Sequence, residues 1–184
     1  LTRLNTDTKA FKQYNVEEGN PHSLANREVW SMHLDEQGII WVGTQSGYLH
    51  RYRPETEDVI RYYFAAAGGS SAGRAVSIDE DSAGNLWSSG DFGLYRFPKA
   101  NRQPGAEQRN MAELFEYIGA EENALGLRLE TPVARHVFED ANKDLWVATG
   151  GIGVVRWRPS DGSSQAYTEA DGLISNSATA ITQD

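Results

Sequence analysis

The sequence predicts an all-β chain built of repeated blades of four antiparallel strands, and three observations carry that prediction. An Asp stands six residues before a Trp three times, in Asp35-Glu-Gln-Gly38-Ile-Ile-Trp41, Asp81-Ser-Ala-Gly84-Asn-Leu-Trp87 and Asp140-Ala-Asn-Lys143-Asp-Leu-Trp146. Around each copy the pattern continues: an apolar residue three before the Asp (Met32, Ile78, Val137), small residues and a glycine after the Trp, then a short run ending in Arg51, Arg96 or Arg156. The Trp residues are 46 and 59 apart, and the longer interval holds an insertion of 10, since Arg96 to Tyr117 is 21 residues where Arg51 to Tyr62 and Arg156 to Tyr167 are 11. A period in the high forties with glycine-rich turns and an aromatic signature is that of a β-propeller blade.

The elements follow in order. Residues 1–26 read as the second half of a blade, because Arg3 and Tyr14 keep the same spacing of 11. In the first full blade, 27–73, an inner strand spans Val29–Leu34, a turn Asp35–Gly38, a second strand Ile39–Gly43, a third Tyr48–Tyr52 and an outer one Val59–Phe64. Asp35 at the strand end accepts backbone N–H groups in an Asx-type turn, and Gly38 supplies the positive φ that reverses the chain. The next blade, 74–132, carries the insertion near 103–112, whose end, Met111-Ala-Glu-Leu-Phe115, reads as one helical turn. In the third blade, 133–177, Lys143 replaces the turn glycine, so Asn142 or Lys143 takes the left-handed conformation at a cost and a looser hairpin is expected. Residues 178–184 begin a further inner strand. Propellers close with about four to eight blades, so three complete blades with partial ones at both ends read as a fragment of a larger propeller.

Composition narrows the function. With 39% apolar and 10% aromatic residues the chain can bury a real core. Twenty-six acidic against 17 basic residues, net −9, disfavour nucleic acid, and no basic run offsets them. No cysteine is present, which removes disulfides and thiolate metal sites. No stretch approaches the ~20 apolar residues of a membrane helix, so no membrane contact is expected of this segment.

Several motifs invite chemistry and are better explained by structure. Trp41, Trp87 and Trp146 offer faces for sugar stacking, but one repeated position in three blades argues for wedges between sheets. Gly69-Ser-Ser71-Ala-Gly73 matches the nucleophile-elbow pattern, yet it joins an outer strand to an inner one rather than a strand to a helix. Asp79, Glu80, Asp81 and Asn85 lack the spacing of a calcium loop, and His22, His33, His50 and His136 fall in different repeat columns without metal-ligand pairing. No catalytic, cofactor or metal residue is therefore expected.

The run Asp81-Ser-Ala-Gly-Asn-Leu-Trp87, the small pair after it, the strand Gly93-Leu-Tyr-Arg-Phe97 and the blade-opening Gly172-Leu-Ile-Ser-Asn176 resemble the two-component regulator propeller repeat. The resemblance covers nearly the whole chain. It implies a non-enzymatic, ligand-sensing propeller module, periplasmic in its parent receptor, ahead of a histidine kinase or other output domain. It also implies an oligosaccharide or other small ligand, and pairing with a partner propeller or a second copy. A protein-interaction scaffold and, below it, a propeller lyase or sialidase-like enzyme are the rival readings.

Blade geometry points to the ligand face. The loops that lead from outer to inner strands, and those between second and third strands, share one face. They carry Arg27, Gln45, Arg74, Asp91, Phe92 and Arg135, and three arginines there suit an acidic ligand such as a uronic-acid oligosaccharide. Solvated rim residues, or arginines paired with acids of neighbouring blades, are the plainer reading of the same positions. Trp30 fits either the channel or an inter-blade seam.

Overall fold

A computed structural model of the chain describes residues 1–63, 73–91, 93–102, 111–119, 125–131 and 133–183. Four antiparallel sheets follow one another along the chain. A two-stranded sheet, β1 (Thr2–Leu4) and β2 (Phe11–Gln13), precedes three four-stranded blades. These are β3 (Val29–Leu34) to β6 (Asp58–Tyr63), β7 (Ala75–Glu80) to β10 (Glu116–Ile118), and β11 (Ala134–Glu139) to β14 (Ser163–Tyr167), each with its strands neighbouring in sequence order. The propeller-blade class is observed: three whole blades, half a blade before them, and an extended segment after them that touches the last blade through the bridge Gly150–Ser177.

The repeated Asp–Trp spacing has a physical cause that goes beyond the turn. In each hairpin one carboxylate oxygen accepts two backbone N–H groups, those of Gln37 and Ile39 at Asp35, Ala83 and Asn85 at Asp81, and Asn142 and Asp144 at Asp140. The other oxygen accepts the indole N–H of the Trp six residues on, at 2.8, 2.8 and 2.9 Å. One charged acceptor thus closes the turn and fixes the Trp rotamer, which is why neither residue varies among the copies.

The third hairpin is not looser. Lys143 takes the left-handed conformation at φ 68, close to Gly38 at φ 78 and Gly84 at φ 79. Its N–H still reaches Asp140 O at 3.0 Å, and Asp140 N–H reaches Asp144 O at 2.9 Å, as around Asp35. The substitution is met with backbone strain rather than with broken bonds.

Blade-to-blade packing forms the core. Trp41 and Trp87 are buried and face the following sheet, as wedges should. The Trp41 ring meets Phe97 edge-on with centroids 5.7 Å apart, and Trp87 meets Trp157 at 6.4 Å. Trp146, on the last blade, is half-buried and stacks on Tyr167 within its own sheet. Small residues let the inner strands close up: a Cβ on Gly43 would come within 2.3 Å of Ser31 Oγ and 2.7 Å of the Ala75 carbonyl on the next inner strand. The insertion's end forms α1 (Met111–Leu114), the expected helical turn, while residues 103–110 lie outside the described ones. Leu114 and Phe115 behind it join the core between the first two full blades.

Candidate functional site

The face on which the inner strands begin is stitched together from consecutive blades. The β4–β5 turn donates from Gln45 N–H to Glu28 O in its own blade and from Gly47 N–H to Gly73 O in the next, each at 3.0 Å. Gln45 also forms an isolated β-bridge with Arg74. The β12–β13 turn repeats the scheme, from Gly150 N–H to Val133 O at 3.0 Å and from Gly153 N–H to Asn176 O at 2.7 Å. Gly153 must be glycine, since at φ 77 an added Cβ would lie 1.9 Å from the Tyr167 carbonyl oxygen. These backbone bonds hold the loops in a fixed frame, so side chains on them are presented with little freedom.

Within that frame Arg74 is the organising residue. Its Nε and one terminal nitrogen donate to the two carboxylate oxygens of Asp91 at 2.8 and 3.0 Å, a fork-to-fork pair. Its guanidinium also lies over the Trp30 ring of the preceding blade, 4.8 Å from the centroid. Trp30 is 45% exposed, so it neither wedges between sheets nor hides, and half of it remains available to solvent. Hydrogen bonding from Arg74 holds the Asp91 carboxyl below the usual range, and the Arg135 charge lowers it further.

The six residues expected on this face behave differently from one another. Gln45, Arg74 and Asp91 are joined as described. Arg135, from the following blade, has a buried Nε beside Gly150 that finds no hydrogen-bond partner, and its guanidinium makes no ion pair among the described residues. Arg27 is exposed and equally without a partner among them. Phe92 lies outside the described residues. The arginines therefore split, one neutralised by its own neighbour and two that make no ion pair among the described residues.

Two buried polar devices below this face had no signal in the repeat. His50 is fully buried; its Nε2 accepts the Ala25 N–H at 3.0 Å while Nδ1 lies 3.1 Å from the Val42 carbonyl. Burial pushes its imidazole down to about 4. Arg102, which follows the third strand of its blade, inserts between blades with a side chain 2% exposed. It donates to Asp35 Oδ2 at 3.0 Å, to Glu80 Oε1 at 2.6 Å and to the Gly84 carbonyl. Both residues lie off the repeated columns, and only the three-dimensional contacts reveal them.

Among the described residues no three His, Asp or Glu side chains come together as a metal-holding group. The acids once weighed for calcium are otherwise engaged: Asp81 caps its hairpin and binds Asn85, and Glu80 binds Arg102. Of the Gly69–Gly73 segment only Gly73 lies within the described residues. None of the described helices is long and apolar enough to cross a membrane.

Comparison with known proteins agrees with this architecture. Residues 23–46 match the family model described as two component regulator propeller. A histidine kinase, P4, of Formosa agariphila is 28% identical over 178 residues, which is 95% of this chain and 12% of that protein. The extracellular domain of a hybrid two component system from B. thetaiotaomicron superposes with a TM-score of 0.69 at 21% identity, over 95% of this chain and 22% of that one. A streptogramin B lyase superposes with a TM-score of 0.52 at 14% identity, over 85% of this chain and 43% of that one. The chain spans only a small part of the first two, and the structural likenesses speak to fold alone.

Proposed function

Because this chain carries the two-component regulator propeller repeat, we propose that it is a ligand-binding blade segment of a receptor's sensor propeller and performs no chemistry of its own. The observation that carries the reading is the stitched face where Trp30, Arg74, Asp91 and Arg135, from three successive blades, set an exposed aromatic surface beside a guanidinium paired only with its own neighbour. Such a face suits a saccharide: an apolar ring face stacks on the indole, and hydroxyl or carboxylate groups meet the arginines. The histidine kinase relative and the extracellular domain of a two component system support placing it outside the cytoplasmic membrane, where such ligands arrive. In the longer protein, ligand contacts that bridge blades would pass to an output domain, or to a partner propeller, as a change in packing.

The test is thermal melting of the chain against a panel of neutral and acidic oligosaccharides, with product analysis of each mixture. A rise in melting temperature with no product supports the reading, because a ligand bound only by the native state stabilises it. New cleavage or elimination products would move the chain to the lyase reading that the streptogramin lyase likeness keeps in view.

A further inference from the structure

The Arg74–Asp91 pair raises a question that the sensor reading leaves open: why a recognition face should neutralise its own central arginine. Three features of the geometry answer together. Asp91 meets Arg74 through both oxygens, in the bidentate form a ligand carboxylate would adopt. It does so while the Arg74 guanidinium lies 4.8 Å from the centroid of the partly exposed Trp30 ring, so the ion pair belongs to the surface rather than to a core. On the next blade Arg135 makes no ion pair among the described residues while its charge acts on Asp91, so a second carboxylate oxygen would meet a guanidinium without a counter-ion there.

We infer that Asp91 is an internal stand-in for a ligand carboxylate, and that Arg74, Trp30 and Arg135 form a subsite for a sugar ring bearing a carboxyl group, which displaces Asp91 on binding. The inference rests on the sensor reading and adds to it the chemical class of ligand and a residue that sets the affinity. In the empty state Asp91 keeps Arg74 oriented and its charge quenched. On binding, the ligand carboxylate takes the Arg74 fork and reaches Arg135, the ring lies against Trp30, and Asp91 turns to solvent. The Asp91 side chain is 30% exposed, so that turn needs no opening of the core. The built-in competitor lowers affinity and favours ligands whose second contact, to Arg135 or Trp30, outweighs it.

The test titrates the unaltered chain, Asp91→Asn and Arg135→Gln with galacturonate, with galactose as the same ring lacking the carboxylate, and with succinate as a carboxylate lacking the ring. The readout is the Trp30 indole resonance. Asp91→Asn is expected to bind galacturonate about tenfold more tightly than the unaltered chain, and Arg135→Gln about tenfold more weakly. Galactose and succinate should leave the Trp30 resonance in place. An Asp91→Asn affinity equal to or below that of the unaltered chain overturns the stand-in role, and equal binding of galactose overturns the carboxylate. Succinate matching galacturonate overturns the ring. Should Asp91→Asn fail to fold, Arg135→Gln decides alone, an unchanged affinity there sinking the subsite. If galacturonate never binds while another oligosaccharide still raises the melting temperature, the subsite falls and the sensor reading stands.

Discussion

At the scale of single residues, His50 shows how a buried base makes stability depend on pH. Unfolded, its imidazole takes a proton at the ordinary 6.5; folded, burial delays that to about 4. Between those values the unfolded chain binds more protons, so this contribution is complete above pH 6.5 and is lost as pH falls toward 4. The loss amounts to about 3 kcal/mol by the usual conversion of a pKa difference. Urea unfolding from pH 7 to 4 should show the fall, and His50→Phe, which cannot titrate, should flatten that part of the curve. A curve of unchanged slope in the variant would remove His50 as its source. In the sequence the four histidines fall in different repeat columns without metal-ligand pairing, and nothing there reveals the Ala25 N–H that needs an unprotonated ring. That partner comes from a connection 25 residues away and outside any repeat column.

At the scale of elements, strands and turns were legible because every copy of the blade repeats the same short-range chemistry. The expected β3, β4 and β5 agree with the observed strands to within a residue at each end. Less legible was the second half of the Asp–Trp rule. The turn-capping role of Asp follows from spacing, but its bond to the indole requires the two side chains to meet across a hairpin. The third hairpin tests the balance between bonds and strain. Lys143→Gly keeps each backbone bond and relieves a left-handed side-chain residue, at the expense of a freer unfolded chain and a weak contact with Glu139 at 3.9 Å. A net gain of about 0.5–1 kcal/mol is expected. Differential scanning calorimetry of the variant should show a raised melting temperature, and a lowered one would mean that the strain in Lys143 has been overstated.

At the scale of the whole molecule, adjacent blades are joined by aromatic wedges, by the stitched loops and by one buried ionic clamp. Arg102 links Asp35 of one blade to Glu80 and Gly84 of the next. Removing it takes the guanidinium from two buried carboxylates and leaves them only N–H donors, so Arg102→Met is expected to cost about 3 kcal/mol in urea unfolding. A loss below about 1 kcal/mol would show that water replaces the guanidinium at the seam. The clamp was unreadable from sequence, since Arg102 borders the insertion and has no counterpart in the other copies. The candidate face was half readable: the loops were placed on one face, yet the Trp30–Arg74 contact pairs residues of different blades at different columns. The indole clip carries one more consequence, for how such genes change. Because every copy keeps Asp six residues before Trp, a crossover between copies that stays in register preserves the clip wherever it falls, whereas one that gains or loses a residue inside those seven yields a blade with an open turn and a loose wedge. A crossover in the connections ahead of Val29, Ala75 or Ala134 moves the pair intact. Blades can therefore be duplicated, lost or exchanged as modules along those joints, and an exchange that keeps the register preserves the fold while it replaces the side chains of the loops proposed for binding.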